Sequence, residues 1–421
     1  VTALDTYSEK DKPGFLAVFS DLNKYNEENS ISAPGVMLNS ADAADFQKYI
    51  PMAGTSQAAP IVTGTGGLVQ EAFPYMSGKQ IGDVLLSTTS KIIDKSQEFA
   101  VTMQEDENNP PVLNMIYFTE KPDSKAKLKK DIEKYYEANE EMLRMFYLGW
   151  GENINKENFI KIYMEGNLIT VYENVPYEIV YGQGIVNAGN AVKGLGTLNA
   201  RRLGKEDISS SNNRVNKYLS KTQALYTINT MGFDSTWNND ISETKAGYMT
   251  AKEKLDEIVN IDKFSDKEKE KLSEYITKNT NLTDEEKEYF DKMFKFYLSN
   301  EYRYDSESGG IVTSSDNDIL LSNGKEYIDE YNKRVKESGL AGLSVGLLKE
   351  GAGTLSLAGN NTYKGASIAG GGTLQIDGSV AGNAYSLNDE MGTGIIAGKG
   401  TINGDLYNYG KVQAGSWGST D

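Results

Sequence analysis

The sequence has no cysteine and no histidine. Without cysteine there is no disulfide framework and no thiolate nucleophile. Without either residue there is no thiolate or imidazole metal site. A Ser-His-Asp triad cannot be completed from these residues, because its base is missing. No run of about 20 apolar residues occurs, so no segment reads as a membrane-spanning helix. Positive charge is also short, with 43 Lys and Arg against 60 Asp and Glu, a net charge of −17. Such a balance disfavours phosphate backbones, and no nucleic-acid partner is expected. No charged and apolar leader precedes Val1, and the pattern beyond Gly415 breaks off unresolved. Both ends therefore read as truncations, with a processed mature chain as the alternative.

At 421 residues the length suggests about three domains, and charge density divides the chain accordingly. Residues 1–92 hold 16 charged side chains and residues 341–421 hold 10, whereas residues 93–340 hold 77. The charged middle predicts solvated amphipathic helices between two better-buried regions. Leu128, Ile132, Tyr135, Met142, Met145 and Phe146 recur at helical spacing up to a stop at Gly149. Ser265 with Glu268, and Thr283 with Glu286, fit the capping box of a hydroxyl and a carboxylate three residues on. Tyr289, Phe290, Met293, Phe294 and Tyr297 form an aromatic stripe whose bland reading, packing, outweighs a ligand groove.

The last segment differs. Residues 351–421 contain 17 glycines, between which short alternating runs recur. Leu355, Leu374 and Ile395 stand 19 and 21 residues apart, and Val412 continues the series. A recurrence near twenty residues predicts the stacked rungs of a parallel β-helix, each burying a face against the next.

One short segment carries chemistry. In Gly54-Thr55-Ser56-Gln57-Ala58-Ala59-Pro60, a small-residue turn puts Ser56 at the start of a potential helix. There backbone N–H groups are unpaired, and that of Ser56 can donate to a developing oxyanion. Ala58, Ala59, Gly64, Gly66 and Gly67 make the helix thin enough to be buried centrally, and Pro60 comes early enough to be tolerated. Gly-Thr-Ser alone is also an ordinary helix cap.

The surrounding segments decide between these readings. Gly54 to Pro60 resembles the nucleophile motif of subtilisin-like serine proteases, and Ser32-Ala33-Pro34-Gly35 resembles the segment that precedes it. Val1–Asp5, Phe19-Ser20, Phe73-Pro74 with Ile81, Val84, Leu85 and Leu86, and Tyr181–Ala188 resemble further parts of that domain in the same order. The resemblance implies an α/β fold: a partial parallel-sheet domain in residues 1–92 and 178–200. It would be interrupted by a charged, largely helical insertion over 93–177 and followed by a charged helical accessory region over 201–340.

The same resemblance implies a serine endopeptidase acting on protein or peptide substrates. Ser56 would be the nucleophile, with its N–H as oxyanion donor, and Gly54 and Thr55 would line the substrate cleft through their backbone. The family's Asp and His precede its Ser, so both would lie ahead of Val1, and the 421 residues alone are expected to be inactive. Gln57 stands where many relatives have Met. Calcium is common in that family, but no cofactor or metal ligand can be named here. Asp316-Asn317-Asp318 lacks the glycine and glutamate of an EF-hand.

Gly351–Gly365 with Ile368 and Gly371–Ile376 resembles the passenger-associated repeat of bacterial autotransporters. The β-helix would then occupy 341–421, and the protein would reach the cell surface or medium through an outer-membrane translocator barrel absent from this chain. A non-catalytic adhesin or structural passenger on a degenerate protease fold is the alternative.

Overall fold

The computed structural model describes residues 1–5, 15–42, 44–45, 47–91, 97–106, 109–149, 154–247, 282–297, 302–313 and 317–415. The Ser265–Glu268 capping box and Asp316 lie outside them, as do the side chains of Met145, Phe146, Phe294 and Tyr297. Within them the chain is mixed α/β with parallel sheets.

The N-terminal unit is built on a three-stranded sheet. Thr2–Asp5 pairs in parallel with Ser32–Pro34 and antiparallel with Phe15–Leu16. Helix Thr55–Ala72 lies on it, burying Ala58, Thr65 and Val69. Helix Gly78–Ser87 follows, opened by a reciprocal capping box between Ser77 and Gln80. Tyr181–Ala188 closes the unit. Ser32 donates its N–H to the Gly184 carbonyl and accepts from Val186, while Ser90 exchanges both bonds with Ile185. Gly182 sits at φ +62°, and a Cβ there would come within 2.3 Å of the Ser30 carbonyl oxygen, so only glycine fits.

Residues 93–177 differ from the largely helical expectation. Phe99–Asp106 and Asn109–Tyr117 form an antiparallel pair, and Ile169–Tyr172 adds to it in parallel. Helices Lys125–Gly149 and Lys156–Glu165 pack on this sheet through Leu128, Ile132, Tyr136, Phe159 and Tyr163. Phe99, Val101 and Met103 enter one core and Ala100 enters another, so this strand is buried on both faces and shows no apolar–polar alternation to read. The sheet is finished from far along the chain. Tyr302–Asp305 pairs with Ile169–Tyr172, and Gly310–Thr313 folds back on it. The Tyr302 hydroxyl donates to Glu173 at 2.7 Å, and Lys121 lies 4.2 Å over the Tyr302 ring.

The remaining chain winds through three parallel sheets. Val345–Glu350, Thr354–Leu357 and Asn360–Asn361 make one turn. Ser367–Ala369, Gly372–Ile376 and Ser379–Val380 make the next, followed by Ala384–Ser386, Gly392–Gly398 and Thr401–Ile402. Leu406–Asn408 and Lys411–Ala414 extend it. Leu355, Leu374, Ile396 and Val412 stack in register as an aliphatic ladder. The third member is Ile396, not Ile395, because the pair Asn388–Asp389 with Thr393–Gly392 lengthens that turn.

This coil starts earlier than residue 341. Ala224–Asn229 pairs with Val345–Glu350, and Ser235–Trp237 with Thr354–Leu357. Residues 201–340 are therefore not one helical region. They hold the coil's first turn and then an excursion, which leaves near Ala246 and returns at Ala341, where those two residues bridge. Helices Asp284–Tyr297 and Asn317–Ser338 belong to the excursion. Thr283 and Glu286 exchange the two bonds of their predicted box, at 2.8 and 3.2 Å.

Trp237 joins coil to N-terminal unit. It is fully buried, faces Phe73 edge-on, and donates its indole N–H to the Tyr75 hydroxyl at 3.2 Å. A Cβ on Gly194 would meet its ring at 2.5 Å. Trp237→Phe removes that bond and leaves a small cavity, so a loss of about 1–2 kcal/mol is expected, read from the urea midpoint.

Candidate active site

The turn before Ser56 is held by two glycines 19 residues apart in sequence. Gly54 runs at φ 156°, ψ 161°, a region almost exclusive to glycine. Its N–H donates to the Gly35 carbonyl at 2.8 Å. A Cβ on Gly35 would lie 2.6 Å from the Ala3 Cβ and 2.9 Å from the Gly54 carbonyl oxygen. The Ala-Pro-Gly segment and the Gly-Thr-Ser segment thus clasp each other. This role of Gly35 was not foreseen from the sequence, although the glycine was the visible signal.

Gly35→Ala is expected to push the turn away and cost about 2 kcal/mol. Gly64 is the control, since a Cβ there meets nothing within 4 Å. Gly64→Ala should be neutral or stabilising by up to about 1 kcal/mol. Parallel urea titrations of the two variants check both statements.

The clasp aims the helix start outward. Gln57 and Ala58 both donate to the Gly54 carbonyl, leaving the N–H groups of Thr55 and Ser56 ahead of the helical ladder. Pro60 is the sixth residue of the helix and brings no N–H to the Ser56 carbonyl. Ser56 is exposed, and no described side chain bonds its hydroxyl. Thr55 is exposed too, while Gly54 is half-buried beneath the Gln57 side chain, whose Oε1 occupies the space a Gly54 Cβ would need. On one side rises the hairpin Leu38–Ala41 and Tyr49–Met52, with Tyr49, Ile50 and Met52 exposed.

The expected central burial of this helix does not hold among the described residues. Strands Thr2–Asp5 and Ser32–Pro34 and helix Gly78–Ser87 cover one stripe of it, and Leu68, Gly64 and Gly67 face outward. The thinness is real, but the described layers lie on one side only. The α/β layer of 97–172 reaches this helix from beneath. Met103 donates its N–H to the Val18 carbonyl at 2.7 Å, and Val18, Val36, Ala58 and Met103 share one core. Among the described residues no group of three His, Cys, Asp or Glu side chains gathers to hold a metal ion.

Ser56 is thus presented at a helix start, on a glycine-clasped turn beside a parallel strand pair. Residues 8–117 match the subtilase family, and residues 347–376 match the passenger-associated-transport-repeat. The chain thus joins a subtilase segment to an autotransporter passenger repeat. The subtilase match runs through the first two strands of the segment read as an insertion, in line with the bond of the first, from Met103, to Val18.

Among curated proteins, an extracellular serine protease of Serratia marcescens is 53% identical over 57 residues, 14% of this chain and 5% of the relative. A second protein of that description and organism is 47% identical over the same length and shares. A thermostable alkaline protease of Halalkalibacterium halodurans is 39% identical over 71 residues, 17% of this chain and 18% of the relative. The matched stretch therefore spans a small fraction of each relative.

Proposed function

We propose that this chain supplies the nucleophile-bearing part of a secreted serine endopeptidase, together with the start of its export stem. The observation that carries the reading is Ser56, exposed and with no described side chain bonded to its hydroxyl, on the Gly35–Gly54 clasp at the start of helix Thr55–Ala72. The similarity to serine proteases supports the same chemistry. The Ser56 Oγ attacks a peptide carbonyl, its proton passes to a base, the amine leaves, and water hydrolyses the acyl-enzyme. The Ser56 N–H donates to the carbonyl oxygen as it becomes negative. Gly54 and Thr55 offer backbone groups to an extended substrate alongside.

The base is a histidine contributed from outside residues 1–421, since the sequence contains none. The three-sheet coil is a parallel β-helix, and it acts as the passenger stem of an autotransporter exported to the cell surface or medium. The passenger-repeat match over 347–376 supports that role.

Fluorophosphonate labelling tests the catalytic reading. A polypeptide with the histidine- and aspartate-bearing sequence joined ahead of Val1 should be labelled at Ser56, and residues 1–421 alone should not. Labelling at another serine, or none with both partners present, sinks the assignment and leaves a non-catalytic passenger.

A further inference from the structure

A cavity of about 210 Å³, with no lining residue from helix Thr55–Ala72, opens where the excursion meets the N-terminal unit. Its polar wall comprises Arg201, Arg202, Arg334, Tyr331, Ser338 and a single carboxylate, Glu28. In a chain of net charge −17 this concentration of guanidinium groups is out of character.

The three guanidinium groups are held differently. Arg202 is taken by Asp83 and Asn29. Arg201 gives Nη1 to Glu28 at 3.2 Å and lies 4.5 and 4.6 Å over the rings of Tyr289 and Phe290. Arg334 packs 5.7 Å over the Tyr331 ring and has no ion pair with a described carboxylate. Arg334 is thus the wall's guanidinium without an ion pair among the described residues, while Glu27 and Glu286 also lie within electrostatic reach of Tyr331 and Arg201.

Donors are left over. The Arg201 side chain is 8% exposed, yet its Nε–H has no hydrogen-bond partner among the described residues. Tyr331 is 2% exposed, and its hydroxyl has none either. Leaving a buried donor unmade is costly, and native structures rarely do so without a ligand or water. Ser338 already donates to Val335 and accepts from Leu340, so it offers little more. The space holds roughly seven water volumes, which is ample for a tetrahedral or planar oxyanion.

We propose that this cavity binds a small oxyanion, a phosphate or carboxylate group, held by the Arg201 Nε–H, the Tyr331 hydroxyl and the Arg334 guanidinium. Arg201 belongs to the segment leading out of the N-terminal unit, and Tyr331 and Arg334 belong to helix Asn317–Ser338. An anion there ties the excursion to the unit that carries Ser56. The site is independent of the catalytic reading.

Isothermal titration of the 421-residue chain with sodium phosphate, and separately with sodium acetate, tests it at constant ionic strength. Saturable binding of at least one anion is expected, and the arm that binds identifies the oxyanion. Arg334→Met should raise that Kd by roughly tenfold or more, the worth of one hydrogen bond to a charged group. Tyr331→Phe should raise it by about threefold, a neutral donor's share. Arg334 is exposed, so its variant should fold, as circular dichroism will check. No saturable binding of either anion overturns the proposal, and so does equal binding by wild type and Arg334→Met.

Discussion

Ser56→Ala, in a polypeptide that also carries the histidine and aspartate, is expected to lower kcat by about 10⁶-fold with little change in KM. The hydroxyl is the group that forms the bond, and no described side chain offers a substitute. A residual rate above water should persist, because the Ser56 position keeps its N–H after the change and still donates to the carbonyl oxygen. Stability should move by no more than about 0.5 kcal/mol, since Ser56 is exposed and no described side chain bonds its hydroxyl. The same substitution in residues 1–421 alone should change nothing. Groups that act as a unit are strongly non-additive, and here the base is already absent. Steady-state hydrolysis of a peptide ester by all four proteins checks this. A kcat within tenfold of wild type would refute the nucleophile assignment.

What the sequence disclosed and what it hid follow one physical rule. Gly35, Gly54, Gly182 and Gly184 stand where a Cβ would strike backbone or a near side chain, so chain geometry dictates their identity and spacing. Their motifs are visible without a structure. The same holds for the later coil, where Gly359, Gly378 and Gly400 follow one another on successive turns, each Cβ position blocked by the turn before.

The first coil turn escaped because its partner is remote. Tyr226 pairs with Leu347 across the whole excursion, and no repeat can be counted through such a gap. Its strand Ala224–Asn229 also lacks the glycines of later turns. The sheet shared by Ile169–Tyr172 and Tyr302–Asp305 was hidden for the same reason: two charged segments, each read as helical, contribute strands to one layer. The cavity at Arg201 joins residues from four separated stretches and leaves no local trace at all.

Lys349→Met is expected to destabilise the coil by about 2–4 kcal/mol, the cost of leaving buried carbonyls without a donor. The side chain is fully buried in the aliphatic interior, where a lysine is out of place on pattern alone. Its Nζ donates to the carbonyls of Gly351 at 2.6 Å, Gly353 at 2.8 Å and Gly371 at 2.8 Å. The first two close the corner of one turn and the third belongs to the next, so the ammonium staples successive turns together. A Cβ on Gly372 would lie 2.5 Å from Nζ, which fixes glycine there. Methionine fills a similar volume but takes the ammonium from the Gly351 and Gly371 carbonyls, while Gly353 keeps the Thr373 N–H at 3.0 Å.

Burial strips water from the ammonium and lowers its pKa from 10.5 to about 8, against a smaller opposing pull from Asp234. The sign of the pH dependence follows. Below about pH 8 both folded and unfolded chains hold this proton, and the group adds no slope. Between about 8 and 10.5 the unfolded chain binds a proton that the folded chain has released, so stability rises with pH. Other lysines and tyrosines titrate alike in wild type and variant, so the gap between them should widen across that window. Urea unfolding of both proteins from pH 7 to 10, monitored by far-UV circular dichroism, reads it directly. A gap that narrows with pH, or a variant as stable as wild type at pH 7, would remove Lys349 as the staple of the coil.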